Sequence, residues 1–340
     1  MKSRERVLAA LNLQQPDRVP FVDTIDPGMQ KALVGKDDFD LLDLARAANI
    51  DAIYFEDYIL SPFTRPRENS AGLEHGEISG YDGGYMGVGI IRTEDDLKKM
   101  ILPNPKDEAY YDKAKRFIDK YGDSDLALYA AMRPLGLFTT MFSMPLEDFS
   151  KALYKKRPML EKMMNIYIEW SVIVLEKLQT LGRLDFIMCW NDMAFKSGPM
   201  ISPAIFREFF LPLMRPAAEA IKLPWAFHSD GDLHLVMEDL LTLGMNAINP
   251  FEKPMMSLKE AKEKWGRRVC LWGNVDLHYT LTMGTPEEVE EEVKECLRDA
   301  AEGGGYIIAS GNSLTDYCKL ENVRAMIKAI EKYGRYPIQL

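Results

Sequence analysis

The stretch of this chain best equipped for chemistry is Phe227-His228-Ser229-Asp230-Gly231-Asp232. His228 and Asp230 stand two positions apart, so on a β-strand their side chains share one face. Such a pair can hold zinc or another divalent metal with one more oxygen donor, and Glu252, at the end of the next apolar run, is the expected third ligand. The same pair also fits a metal-free acid/base couple in which Asp230 raises the basicity of His228. It fits, too, a histidine satisfied inside the core with Asp230 capping the following helix. Residue type alone leaves all three readings open. Asp192 is a further catalytic candidate. Glu56, Asp57, Arg133, Lys196, Asn274, Ser310 and Asn312 are candidates for binding substrate. Arg133 sits among apolar residues and needs an anionic partner from the protein or a substrate. Lys196 suits a substrate carboxylate or phosphate, or a pairing with Asp192. His234 is expected on a helix outside the pocket, and His75 and His278 in loops without a constellation.

These candidates share a location, which follows from the elements that carry them. Eight short β-prone apolar runs recur, at 18–24, 51–57, 126–133, 185–192, 224–231, 247–253, 269–276 and 306–313. Each ends in polar residues and leads into a helical pattern. Near-continuous apolar strands alternating with helices mark a parallel sheet covered on both faces, and eight such units point to an α/β fold of the (β/α)8 TIM-barrel type. In such barrels the chemistry gathers at the C-terminal strand ends, where Asp192, His228, Asp230 and the other candidates fall.

The helices are well signalled. Ser3 is the expected N-cap of an N-terminal amphipathic helix with Val7, Leu8 and Leu11 on one face. Ser202-Pro203 and Thr285-Pro286 open two later helices, and the last runs from Glu321 to Tyr333. Glycines 303–305 read as a helix end and turn on the face opposite the site. No linker divides residues 1–340, so one barrel domain is expected, with the 62–125 excursion after the second strand as a lid or cap and a helix near 107–120 within it.

Composition narrows the function. The 340 residues carry 42 Lys plus Arg against 52 Asp plus Glu, a net charge of −10, which disfavours a nucleic-acid binder. Four Cys without a C-x-x-C pair exclude a disulfide scaffold, and packing thiols are expected. The apolar stretch VLAALNL is too short for a signal peptide or membrane span, so a cytoplasmic protein without membrane contact is expected.

Several blocks are together distinctive: SRERVLAALNLQQPDRVPF, SGPMISPAIFREFFLP, FHSDGDL with LLTLGMNAINP, RRVCLWGNVD with GTPEEVEEEV, GGGYIIASGN, and ENVRAMIKAIEKYGRYP. In order and spacing they resemble the uroporphyrinogen decarboxylase superfamily, which also holds the cobalamin-dependent methyltransferases. The resemblance implies a (β/α)8 barrel and allows a homodimer across the mouth. Porphyrinogen decarboxylases of this superfamily carry an arginine-rich R-Q-A-G-R element, whereas the matching stretch here, DTIDPGMQKAL, has no arginine. Its thiol-activating methyltransferases hold zinc through an H-x-C and a later Cys, and the corresponding positions here are His228, Asp230 and Asn312. Harder donors suit an oxygen or nitrogen leaving group. The expected function is therefore methyl transfer between a small methoxylated or N-methylated substrate and a corrinoid on a separate protein, since the chain has no D-x-H-x-x-G cobalamin motif. The alternative is a metal-free decarboxylase or lyase acting on a small carboxylate.

Overall fold

A computed structural model describes residues 1–56, 65–69, 72–76, 89, 91–253 and 255–340, with 56, 65–69 and 72–76 as backbone. Seven of the eight apolar runs become strands of one parallel sheet, and the first is an extended segment that bridges to the eighth. We number them β1 (the extended segment 19–23), β2 (Ala52–Glu56), β3 (Ala127–Met132), β4 (Phe186–Trp190), β5 (Trp225–His228), β6 (Ala247–Asn249), β7 (Cys270–Trp272) and β8 (Tyr306–Ile307). β2 to β8 form a continuous seven-stranded parallel sheet in chain order. β1 closes it: the Val22 N–H donates to the Ile308 carbonyl and the Ile308 N–H to that of Pro20, while the Asp51 N–H bonds the Phe21 carbonyl at the head of β2.

The pleat sorts the side chains. Ala52, Ala127, Tyr129, Ala131, Phe186, Met188, Ala226, Ala247, Cys270, Trp272, Ile307 and Ala309 fill the barrel interior, small and aromatic residues alternating to fit the taper. The intervening strand residues, such as Ile53, Leu128, Ile187, Phe227 and Leu271, face the ring of helices in a second, larger core. The N-terminal helix α1 (Ser3–Leu11) plugs the lower end of the barrel with Val7, Ala10 and Leu11. Burying Val7 and Leu11 there contributes roughly 1.5–3 kcal/mol each. Its cap departs from expectation: Lys2 holds the N-cap position, and its N–H donates to Glu5 at 3.0 Å, so Ser3 is already the first helical residue.

Thr285 caps Pro286–Ala300 by accepting from the Glu288 N–H, while Glu288 returns the bond to the Thr285 N–H. Ser202 caps the helix that starts at Pro203. Gly303, Gly304 and Gly305 all take positive φ in the turn before β8, and a Cβ on Gly304 would meet the Gln14 backbone at 2.4 Å. The four cysteines are buried free thiols. Of the expected 62–125 lid, residues 62–64, 70–71, 77–88 and 90 lie outside the described residues. Its described parts include a three-stranded sheet of Arg65–Asn69, Gly72–Gly76 and Met100–Ile101, and helices at Glu94–Lys98 and Asp112–Tyr121, the latter where the sequence pattern placed one. No helix among the described residues is long and apolar enough to cross a membrane.

Candidate active site at the barrel mouth

Three adjacent strands position the centre of the site. In the parallel register Trp190 of β4, His228 of β5 and Asn249 of β6 are lateral neighbours, so their side chains stand side by side on one face. Two residues further along the same face come Asp192 and Asp230. His228 Nε2 lies 3.6 Å from Asp192 Oδ1 and 3.7 Å from Asp230 Oδ1. Donor atoms of Asp192, His228 and Asp230 all fall within 4.8 Å of one another.

The surrounding groups hold this trio in place. The Asp230 N–H donates to Asp192 Oδ1 at 3.1 Å. Asn312 Nδ2 donates to both carboxylate oxygens of Asp230, each at 2.8 Å. His228 Nδ1 meets Asn249 Oδ1 at 2.6 Å, and Asn249 Nδ2 donates to the Trp272 carbonyl at 3.1 Å. Gly231, next to Asp230, adopts φ +82°, and a Cβ there would strike the Ala194 and Phe195 backbone at 2.7 Å. Only glycine lets the β5 loop lie so close to the β4 loop.

Burial lifts the Asp230 carboxyl to about 6, His228 opposes that rise, the nearby Asp192 and Glu252 carboxylates add to it, and the Asn312 hydrogen bonds oppose it. Next to the trio, the Arg133 guanidinium lies over Trp190 at 4.9 Å and over Phe138 at 5.4 Å. Trp190 in turn sits 6.3 Å from the His228 ring. Deeper in, Tyr54 stacks on Tyr129 at 5.3 Å and forms an aromatic floor. The mouth thus combines a His/Asp/Asp cluster, a cation and flat aromatic surface.

Several expected site residues are placed elsewhere. Glu252 falls outside the Asp192, His228 and Asp230 group, and its Oε2 accepts from the Gly231 N–H at 3.1 Å. Lys196 does not pair with Asp192 but meets His278 Nε2 on the exposed rim. His278, expected in isolation, joins that rim group together with Glu252 at 3.9 Å and Asp276 at 3.6 Å. Asn274 is fully buried, donates to the Phe251 carbonyl and accepts from the Cys296 thiol, so it fastens a loop and lines no cavity. Ser310 is buried as well, and its N–H and hydroxyl both donate to Asp23. Asp57 and the Glu56 side chain lie outside the described residues. His234 bonds Asp232 beside Trp265, away from the trio. Asn249 was not singled out as a binding residue, and its contact with His228 requires the register between two strands, which one sequence does not display.

Residues 80–333 match the uroporphyrinogen decarboxylase family. The chain belongs to that family. Among curated relatives it is 25% identical over 246 residues to a methylcobamide:CoM methyltransferase MtaA of Methanosarcina barkeri strain Fusaro, covering 72% of this chain and 68% of that protein. A second Methanosarcina barkeri methylcobamide:CoM methyltransferase is 25% identical over 200 residues, and the chain spans only 56% of its length. A uroporphyrinogen decarboxylase of Shewanella frigidimarina is 24% identical over 258 residues, covering 72% and 70% of the two chains. These relatives are enzymes of two kinds, methyltransferases and a decarboxylase. A solved methyltransferase from Methanosarcina mazei superposes with a TM-score of 0.71 over 98% of this chain and 99% of that one, at 22% identity, and shows that the two share a fold.

Proposed function

We propose that the chain catalyses methyl transfer between a corrinoid carried by a separate protein and an oxygen or nitrogen atom of a small substrate, at a divalent-metal centre formed by Asp192, His228 and Asp230. One observation carries this reading. Asn249 Oδ1 engages His228 Nδ1, so in its neutral form the imidazole would present Nε2 as an acceptor toward two carboxylates 3.6 and 3.7 Å away. Three acceptors aimed at one point repel unless a proton on Nε2 or a metal ion stands between them. The separations exceed a direct charge-assisted hydrogen bond. They lie close to the roughly 3.4 Å edge of a tetrahedron built on ~2.1 Å metal–ligand bonds. The residues therefore fit a divalent ion.

When bound, such an ion supplies Lewis acidity toward the heteroatom that gives up or receives the methyl group. The chain's own residues do the rest. Asn312 holds Asp230 by both oxygens and fixes the orientation of its carboxylate. Asn312 and Asp230 stand where the resemblance places thiolates, which makes the donor set hard and favours oxygen or nitrogen over a thiol. Trp190 and Tyr54 would offer flat apolar surface to the body of the substrate, and Arg133 would take a carboxylate at its far end. The methyl group passes to or from cobalt at the open side of the mouth. In the demethylating direction the substrate heteroatom would keep the electron pair of the broken bond, the pair of the new bond coming from the cobalt(I) of the partner's corrinoid.

The test is an anaerobic assay of the zinc- or cobalt-loaded protein with cob(I)alamin and a panel of methoxylated and N-methylated carboxylates, followed by the loss of the cobalt(I) absorption. Metal-dependent methylation of cobalt by at least one donor is expected. Carbon dioxide release without any corrinoid requirement would favour the decarboxylase reading instead.

A further inference from the structure

We infer that Asn249 is a positioning residue that sets which nitrogen His228 presents to the site. Asn249 is 5% exposed, at the end of β6, and neighbours His228 in the β5–β6 register. Its amide has two ends of opposite polarity, and the structure uses both. Nδ2 donates to the Trp272 carbonyl at 3.1 Å, and a backbone carbonyl can only accept, so the amide has one orientation. That orientation turns Oδ1 toward His228 Nδ1 at 2.6 Å. An amide oxygen also only accepts, so Nδ1 must carry the hydrogen. In a neutral imidazole Nε2 is then bare, and Nε2 is the atom that faces Asp192 and Asp230.

The Trp272 carbonyl is itself a fixed reference. Trp272 is 2% exposed within the barrel, and its indole Nε1 donates across the interior to the Val22 carbonyl at 2.8 Å. A backbone carbonyl on β7, an amide on β6 and an imidazole on β5 thus form a relay of three adjacent strands. The Trp272 carbonyl and the Asn249 amide are neutral, so they set tautomer and ring direction without adding charge beside carboxylates that already repel one another. A carboxylate at position 249 would also accept from Nδ1–H, but it would add a third negative charge to the cluster.

The metal arm of this inference rests on the proposed metal centre, whereas the tautomer arm does not. The experiment uses the full chain, stripped of metal and labelled with ¹⁵N-histidine, with the His228 signals assigned by their loss in His228→Gln. NMR reads the tautomer in the wild type, Asn249→Leu and Asn249→Asp, and calorimetry reads Zn²⁺ affinity in the same three proteins. The Nδ1–H tautomer is expected in the wild type and in Asn249→Asp. Asn249→Leu is expected to populate the Nε2–H tautomer and to lose about 10- to 100-fold in Zn²⁺ affinity, the usual weight of a ligand's outer partner. A wild-type His228 protonated on Nε2 would overturn the inference, and this spectrum needs no variant to fold. An Asn249→Leu protein with unchanged tautomer would overturn it as well. If the wild type binds no Zn²⁺ while the tautomer still switches in Asn249→Leu, the positioning role stands and the metal centre fails.

Discussion

The lower end of the barrel and its mouth use the same residue type in opposite ways. Below, Asp51 at the head of β2 is fully buried and accepts from Arg6 at 2.6 Å and Arg18 at 2.9 Å, with the Phe21 N–H on its other oxygen. Asp185, just ahead of β4, is bound by Arg4 and Arg183 and by the Leu128 N–H. Asp17 is held well below the usual carboxylate range by Arg6. Each of these acids meets arginines. At the mouth, Asp192 and Asp230 face each other, and among the described residues the basic group turned toward them is a single imidazole. Carboxylates satisfied by cations hold a structure together. Carboxylates held near other acids cost stability, and they persist where a ligand completes them.

The comparison can be broken first at the lower end. Asp51→Ala removes the anion of the part-buried Arg18 and one of the two anions of the buried Arg6, and is expected to cost about 3–5 kcal/mol in urea unfolding, with kcat at permissive temperature unchanged. His228→Ala should show the reverse: a loss of at least about 100-fold in methyl transfer, with a smaller stability change than Asp51→Ala. Asp192→Asn removes one acid from a repelling pair. Its thermal midpoint should hold or rise, while divalent-ion affinity falls about 10-fold or more. A marked loss of stability in Asp192→Asn would erase the contrast between the two ends.

Acidification sharpens the same contrast. A ligand carboxyl must be ionised, and that of Asp230 is raised to about 6. Ion affinity should therefore be full above that pH and fall as the pH drops through it, because protons compete for Asp230. Calorimetry across pH 5 to 8 reads this directly. The smallest effect is expected at the rim, where Lys196→Met breaks an exposed contact with His278 and should change kcat and KM by less than about twofold.

The strands were legible because each is a short apolar run closed by polar residues; seven of the eight form the parallel sheet and the first bridges to the eighth. The pleat extended that legibility to the trio, since Trp190, Asp192, His228 and Asp230 lie at alternating positions within or just past a strand. It failed where the chain leaves the pleat. β6 ends at Asn249 and Phe251 takes φ +52°, so Glu252 no longer follows the alternation and turns to Gly231. Gly273, at φ +151°, does the same for Asn274, which points away from the mouth into the helix layer. Ser310 falls on the outward parity of β8, beside Ala309 that faces in. The arginine clamps on Asp51 and Asp185 went unread because they join residues far apart in sequence, from positions 4, 6 and 18 to the strand heads.

The central claim is that Asp192, His228 and Asp230 form a divalent-metal centre. Its most direct test is the stoichiometry of Zn²⁺ or Co²⁺ binding by calorimetry, with the bound ion counted by elemental analysis, in the wild type and in His228→Ala. One ion per chain in the wild type, absent from His228→Ala, is the expected result. A wild type that takes up no ion, or a His228→Ala protein that retains it with equal affinity, would contradict the account.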